Sequence, residues 1–502
     1  MRQAAVGLKL LTKARLNGIV SRALDLLATH GVFVESHVVR NLLLSGGATT
    51  GATGRLRLGE ELVLQSVATV PPRFTMHGSD GAHECLVGGG GNHFDPGSAA
   101  LNLYDPKASK ARRPTTEDCI QLHRVVDQLE HYHFQSTAMI PADVPESLAD
   151  RYRLYLALLV SPKPVVTGTF RRDGFRTMRA MLEIVRGGAT ELREKPLAIF
   201  DCCPSPPLKW ATLGSEDLVD CARSGIPAEL VSMPLSGATA PATLYGSMVQ
   251  HCAENLSGIV IHQLAVPGAP IVYGGSPAIM DMRWGTTPMG AIETMIMDCA
   301  NAQVGKLLGL PTHAYMGLSD SKLPDYQAGL ESGLGSVLAV LAGVDVVSGA
   351  GMLDFESCQS LEKIVLDHDA VGMALRLSRG IGSEGRDTLL RLFEDLLERG
   401  DLITHKHTAR HYRREQFMPG AAVDRRPGAR WEAEGRADAL TRATERVEQL
   451  LAQSRLREVS SVLTAELREI LERDFDREGA PLPEIERFLT ASDTEGAGLQ
   501  DP

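Results

Sequence analysis

Hydrophobic positions along this chain come in short bursts separated by longer helical stretches, and the alternation is clearest between Leu310 and Leu353. Residues 315–318 read as a buried strand behind a Pro-Thr-His lead-in, and Ser319-Asp320-Ser321-Lys322 as a polar turn. Leu323-Pro324-Asp325 starts a helix, with Pro and an acid near its N-terminus. Residues 344–347 form a second buried strand that ends in Ser348-Gly349-Ala350-Gly351. Two strands joined by a crossover helix make a right-handed parallel unit. Chemistry in such folds sits in the loops that follow the strands.

The same period runs backwards through most of the chain. The first strand is expected at 73–78 or 84–87, ahead of the run GGGGNHFDPG (88–97) and a helix at 116–131. Strands at 133–140, 164–170, 196–202, 227–235 and 269–274 follow, backed by helices at 145–160, 174–186, 215–224, 242–264 and 289–308, with 357–379 as the closing helix. About eight strand–helix units predict a closed (β/α)8 TIM barrel. An open doubly wound sheet is the weaker reading, because no glycine fingerprint follows the first strand. The expected organisation is an N-terminal helical cap at 1–72, the barrel at 73–380, a C-terminal helical extension at 381–478 and a flexible tail at 479–502. The extension is rich in Glu, Arg, Leu and Ala, as exposed helices are.

Composition narrows the function classes. Of the 502 residues 43% are hydrophobic and 23% charged, ordinary values for a globular enzyme, and the formal charge is −11. No basic stripe is present to track phosphates, so nucleic acid is not an expected partner. Eight cysteines, scattered but for one adjacent pair, suggest reduced thiols in a cytoplasmic protein. The apolar stretch 259–273 is interrupted by His262, Gln263, Pro267 and Pro270 and falls short of a membrane span.

Candidate chemistry gathers at the presumed barrel mouth. The glycine run lets backbone approach a ligand and presents Asn92, His93 and Asp95. Asp201 ends a strand, where a carboxylate can face a cation. Phe170, Tyr273 and Tyr315, with Thr167, Thr169, Ser236, Thr239, Ser319, Asp320 and Ser348, complete a ring of aromatic and polar groups. Aromatic faces beside a carboxylate suit a quaternary ammonium group. The adjacent Cys202 and Cys203 raise zinc as an alternative, although no CxxC or HExxH supports it. Asp325 reads as a helix cap. His405, His407 and His411 are spaced so that all three do not share one helical face, which favours a surface or interface role. No nucleophile elbow, kinase motif or hydride-transfer motif is found.

At SDSKLPDYQAGLES, GVDVVSGAGMLDF and THKHTARHYRREQF, and less specifically at GGGGNHFDPG and SGATAP, the sequence resembles the trimethylamine methyltransferase family, from the cap to about Arg426. The resemblance implies a barrel that moves a methyl group from a methylamine to the Co(I) corrinoid of a small partner protein, with no cofactor bound covalently and no metal. The founding enzymes carry pyrrolysine at the mouth, whereas every residue here is an ordinary amino acid, with residues 315–319 the expected place of the difference. That points to the pyrrolysine-free branch and to a quaternary amine such as glycine betaine, its cation drawn to Asp95 or Asp201. A carboxylate on the substrate would need His93, a backbone N–H group, or an arginine such as Arg171 or Arg283. A homo-oligomer is expected. The alternatives are a betaine-binding barrel without turnover and a zinc-dependent methyltransferase using Cys202 and Cys203.

Overall fold

The computed structural model describes residues 7–51, 53–97, 99–454, 459–485 and 488. Eight short parallel strands line its centre: β1 (His93–Pro96), β2 (Gln135–Ser136), β3 (Val165–Thr167), β4 (Ala198–Cys202), β5 (Ala228–Leu230), β6 (Ile271–Val272), β7 (His313–Tyr315) and β8 (Val346–Ala350). Consecutive strands pair in parallel from β2 to β6, and β7 pairs with β8, which pairs with β1. Parallel bridges Phe94–Tyr132 and Tyr273–Thr312 close the two remaining gaps, so the ring is complete. The bond from His133 N–H to the Phe94 carbonyl is 2.9 Å, and that from Tyr273 N–H to the Pro311 carbonyl is 3.0 Å.

Each strand is followed by a helix on the outside. These are α1 (Thr116–Asp127), α2 (Ala149–Val160), α3 (Arg172–Arg186), α4 (Thr212–Ser224), α5 (Leu244–Ala265), α6 (Ile292–Leu307), α7 (Tyr326–Ala342) and α8 (Leu361–Ser378). Local chemistry marks their ends. Thr115 and Asp118 form a capping box on α1, and the Asp325 carboxylate accepts from Ala328 N–H at 3.1 Å to cap α7. Inside α7, Gly335 is required because a Cβ there would meet the Gly317 nitrogen at 2.7 Å.

Period-two alternation divides the strand residues between two environments. Val165, Ala198, Phe200, Ala228 and Leu230 face the helices, whereas Phe134, Val166, Ile199, Val272 and Val346 form an apolar layer inside the ring. Below that layer lies the hairpin Phe74–His77 with Glu84–Val87, which inserts Met76, Cys85 and Val87. The hairpin occupies both sites expected for the first barrel strand, so that expectation is corrected: β1 lies inside the glycine run. Period explains the difference. The hairpin strands alternate like any half-buried strand, while HFDP is too short and too polar to stand out.

The cap differs from expectation in one element. Helices Lys13–Thr29 and His37–Ser45 are joined by a third, Glu60–Thr69, and all three pack on α5. This cover buries α5 on nearly every side, which accounts for the long apolar stretch in its sequence. None of the described helices is long and apolar enough to cross a membrane. In the C-terminal extension, Ala439–Gln453 packs on α8 and α1, and Ser461–Glu478 packs on α3 and α2. Of the tail expected at 479–502, residues 479–485 and 488 are described, and Ile485 is buried against the main core; the rest lies outside the described residues.

One buried ionic cluster fastens the extension. Arg151 on α2 binds Asp150 at 3.1 Å and reaches both Asp173 and Asp474, and Thr177 donates to Asp474 at 2.6 Å. Removing one partner of a buried pair leaves its charge under-compensated. Asp474→Ala is expected to lower unfolding free energy by about 2–4 kcal/mol, read as a lower urea midpoint, together with faster proteolysis within 459–485.

Candidate functional site

Above the apolar layer the barrel interior turns polar. Asp95 on β1, Ser136 on β2, Asp201 on β4, Tyr315 on β7 and Ser348 on β8 surround a cavity of about 300 Å³ at the C-terminal end of the strands. Thr137, Arg153, Thr167, Thr169, Phe170, Cys203, Met233 and Glu356 complete the lining. The floor is Val166, so the cavity stands directly on the apolar layer.

A small sheet forms one wall. Met352–Leu353 pairs with Cys358–Gln359 after β8, and this hairpin pairs with Asn102–Asp105 from the loop after β1. Its turn is unusual: Asp354, Phe355 and Glu356 all have positive φ, at 49°, 57° and 66°. Left-handed backbone costs about 1–2 kcal/mol for each non-glycine residue. The turn is held by Lys322, which lies 4.0 Å over the Phe355 ring and 3.6 Å from Asp354, and by Ser357, whose hydroxyl donates to Asp354 at 2.9 Å. The result is the Glu356 carboxyl directed into the cavity.

Carboxyls dominate the electrostatics. Asp95 accepts from the Ser348 hydroxyl at 2.8 Å with one oxygen, and its other oxygen has no partner. Asp201 accepts from the Tyr315 hydroxyl at 3.4 Å, and its second oxygen is likewise unpartnered, as is one oxygen of Glu356. Glu229 on β5 sits behind Asp201, close enough to feel its charge, and lies 3.2 Å from His313 Nε2. Burial raises all four: Asp201 to about 7, Glu356 to about 8, and Asp95 and Glu229 well above the usual carboxylate range. The Asp201 charge adds to the rise at Glu229, and those of Asp320 and Asp201 add at Glu356. Burial also drops His313 to about 3, so its imidazole is neutral and does not balance them. Desolvated acids of this kind are neutral or wait for a cation.

Of the fourteen residues placed at the mouth from sequence, Asp95, Thr167, Thr169, Phe170, Asp201, Tyr315 and Ser348 line this cavity. The other seven do not. Asn92 donates to the Val344 carbonyl at 2.6 Å, and His93 Nε2 lies 3.1 Å from the Leu86 carbonyl with its ring edge-on to His133 and Phe134. Both belong to the closed lower end, because β1 starts at His93 and runs away from them. Tyr273 packs against His251, outside the cavity lining. Ser319 donates to Glu331 at 2.6 Å, and Asp320 accepts from Met289 and Gly290 N–H at 2.8 and 2.9 Å, so these two brace loops. Ser236 bonds Ser247, and Thr239 accepts from Leu235 N–H within its own turn. Arg171 pairs with Glu478 and Arg283 with Asp281, so neither faces the cavity.

The cysteine pair splits as neighbouring strand residues must. Cys203 opens to the cavity, while Cys202 is buried beside Cys221 on the helix side. The two thiols therefore diverge and do not make a two-cysteine zinc site. Cys203 is exposed to the cavity, and desolvation there with the charges of Asp201 and Glu229 pushes its thiol up. Elsewhere, His407 and His411, four apart on helix Lys406–Glu415, join Glu384 with ligand atoms within 4.8 Å of one another. This group could hold a metal, but it lies on the surface of the extension and not in the barrel. His405 stands apart as the N-cap of that helix.

Sequence reading missed Arg153, Glu229 and Glu356. Arg153 lies in a run that reads only as a buried helix, and Glu229 in a strand whose neighbours are apolar. Glu356 enters the site through left-handed backbone that no local pattern announces.

The trimethylamine methyltransferase (MTTB) family model matches residues 1–479. The chain belongs to the trimethylamine methyltransferase family. It is 29% identical over 474 residues to trimethylamine methyltransferase MttB of Desulfitobacterium hafniense (strain DSM 10664 / DCB-2), covering 94% of this chain and 95% of the relative. It is 29% identical over 400 residues to glycine betaine methyltransferase of Desulfitobacterium hafniense (strain Y51), covering 79% and 83%. To MttB of Methanosarcina barkeri the identity is 27% over 477 residues, covering 93% and 95%. Among solved structures, the monomethylamine methyltransferase MtmB of Methanosarcina barkeri superposes with a TM-score of 0.48 at 12% identity, covering 93% of this chain and 94% of that one.

The raised carboxyls tie stability to pH. Asp201 and Glu356 keep protons in the folded chain that the unfolded chain, with ordinary values of 3.8 and 4.5, has already released. Stability is therefore expected to fall as pH rises from about 4 to about 8 and to level off above, at roughly 1.4 kcal/mol per unit of upward shift. Urea midpoints of the ligand-free protein across pH 5–9 should show the decline, and Asp201→Asn should flatten it.

Proposed function

We propose that this methyltransferase moves a methyl group from a quaternary amine, glycine betaine or a similar compound, to the Co(I) corrinoid of a small partner protein, without pyrrolysine. The observation that carries the reading is the cavity itself. On a chain of this family, a 300 Å³ space at the barrel mouth is ringed by the buried, part-unpartnered carboxyls Asp95, Asp201 and Glu356. A quaternary nitrogen is charged at every pH, so it can keep these acids ionised without donating a proton. Its size suits the space, which is at the small end of ligand cavities.

The reading takes its methyl acceptor from outside the chain. Within the cavity lining, the strongest nucleophile in principle is Cys203, an exposed thiol whose enclosure among Asp201 and Glu229 disfavours its thiolate. A Co(I) corrinoid brought to the mouth would supply a strong nucleophile, taking the methyl carbon as the C–N bond breaks. The bonding pair would stay on nitrogen, so that a neutral tertiary amine leaves. No general acid is needed for that leaving group. What the chain contributes is alignment: Asp201 and Glu356 hold the cation, Tyr315 fixes Asp201, and Phe170 and Met233 give apolar walls. Proximity and orientation of this kind lower barriers by several kcal/mol, on the order of 7–11 in ideal systems. Cobalt(I) chemistry calls for a reducing compartment, and the eight free cysteines accord with a cytoplasmic setting.

The partner would dock on the loops that follow two adjacent strands, β6 and β7. There Trp284 is 79% exposed and Tyr326 83%, far more than aromatic residues usually are.

Two experiments test the reading. Mixing the protein with free Co(I) cobalamin and a panel of methylated amines should change the corrinoid absorption spectrum with quaternary amines. Binding without any spectral change would leave only a betaine-binding barrel. In the same assay Asp201→Asn and Glu356→Gln should each lower kcat/KM about 10- to 100-fold. Trp284→Ala should leave methylation of free cobalamin unchanged while weakening transfer to the cognate corrinoid protein about 30-fold or more, as loss of an interface aromatic does.

A further inference from the structure

The cavity has one feature that a pure cation site does not need, a buried arginine. Arg153 lies on α2 with 3% of its surface exposed and lines the cavity. Among the described residues no carboxylate lies within ion-pair distance of it, and its Nε–H has no acceptor. Its Nη1 donates to the Thr137 carbonyl, and its guanidinium stacks 4.4 Å over the Phe170 ring. The same helix supplies an internal comparison. Arg151, two residues earlier, is equally buried and is matched by Asp150, Asp173 and Asp474. A buried cation without a counter-ion is costly, so the contrast between the two arginines asks for an explanation.

Neutralising the cavity acids is not a sufficient one. Asp201 feels the Arg153 charge and is nonetheless pushed up to about 7. Nor is the arginine lost to deprotonation: burial lowers it only to about 10. It remains a cation with several N–H groups unused, its plane fixed by Phe170 below and Thr137 beside it. A planar fork held in this way matches a carboxylate bidentately. The Thr137 and Thr167 hydroxyls, 3.1 Å apart, line the same space and offer further polar contacts. Other arginines considered for this role are occupied, Arg171 by Glu478 and Arg283 by Asp281.

We propose that Arg153 is the anion-binding end of the cavity and takes the carboxylate of a zwitterionic substrate, with the ammonium end against Asp201 and Glu356. This rests on the quaternary-amine reading and deepens it. Because Phe170 already carries the guanidinium on one face, its ring serves as the platform of the carboxylate site and not as a cage for the ammonium. Simple cations that lack a carboxylate leave Arg153 unpaired and are discriminated against for that reason.

The test compares glycine betaine with choline, which keeps the trimethylammonium group and replaces carboxylate by a hydroxymethyl group. Calorimetric binding to the full-length protein without corrinoid should favour glycine betaine at least 100-fold. Arg153→Gln should lose about 100-fold for glycine betaine, with little change or a gain for choline; Arg153→Lys should recover part of the loss. With cobalamin present, the change should fall mainly on KM. Equal binding of the two ligands by the wild-type protein would overturn the proposal even if Arg153→Gln does not fold, and so would an equal loss for both ligands in a folded variant. Discriminating binding without any methyl transfer would sink the methyltransferase reading and leave the Arg153 assignment standing.

Discussion

A charge enclosed by eight hydrogen-bonded strands has little water to turn to, and this constraint organises the upper half of the barrel. Asp95, Asp201 and Glu229 project inward from β1, β4 and β5, and Glu356 reaches in from the loop after β8. Ser348 and Tyr315 satisfy one oxygen each on Asp95 and Asp201 and leave the others bare. The apolar layer below them, from Phe134 to Val346, keeps the lower end dry and prevents the acids from finding partners there. The acids are thus poised, their carboxyl values raised toward and above neutral pH, where a permanent cation would favour the ionised forms.

How much of this was legible in the sequence depends on whether a residue's role is set locally. The β/α alternation is, since buried strands and amphipathic helices differ in period, and the ring follows from their number. Asp95, Asp201, Tyr315 and Ser348 sit at or near the C-terminal ends of strands, where position along a strand alone sends them toward the mouth. His93 and Asn92 show the limit of that logic. Asn92 precedes β1 and His93 opens it, so an error of one strand in locating the start of the barrel moves them to its opposite end. Arg153 and Glu229 were hidden for a different reason: each is one charge among apolar neighbours, and only the assembled ring distinguishes the face it takes. The pairing of Arg151 with Asp474 spans more than 300 residues of chain and has no local trace at all.

The additions outside the barrel contribute to the same end. Cap helices bury α5, whose Glu254 accepts from Ser232 at 2.6 Å and so braces the segment just beyond β5 that continues to Met233 in the cavity wall. Helix Ser461–Glu478 saturates Arg151 through Asp474. By adding Asp474 to Asp150 and Asp173 around Arg151, the extension helps keep α2 seated, and the seating of α2 is what presents Arg153 to the cavity from the same helix.

The left-handed turn at Asp354–Glu356 completes the argument. Three such residues in succession store about 3–6 kcal/mol, and a chain optimised for stability alone would place glycine there or shorten the hairpin. Lys322 and Ser357 offset the strain by gripping Phe355 and Asp354. The strain is therefore compensated around a carboxyl that, like Asp95 and Asp201, keeps an unpartnered oxygen. Backbone strain concentrates where a side chain must be held in a geometry that folding alone would not select. Here the side chain held in that way stands beside Asp95 and Asp201, in a cavity that Arg153 also lines.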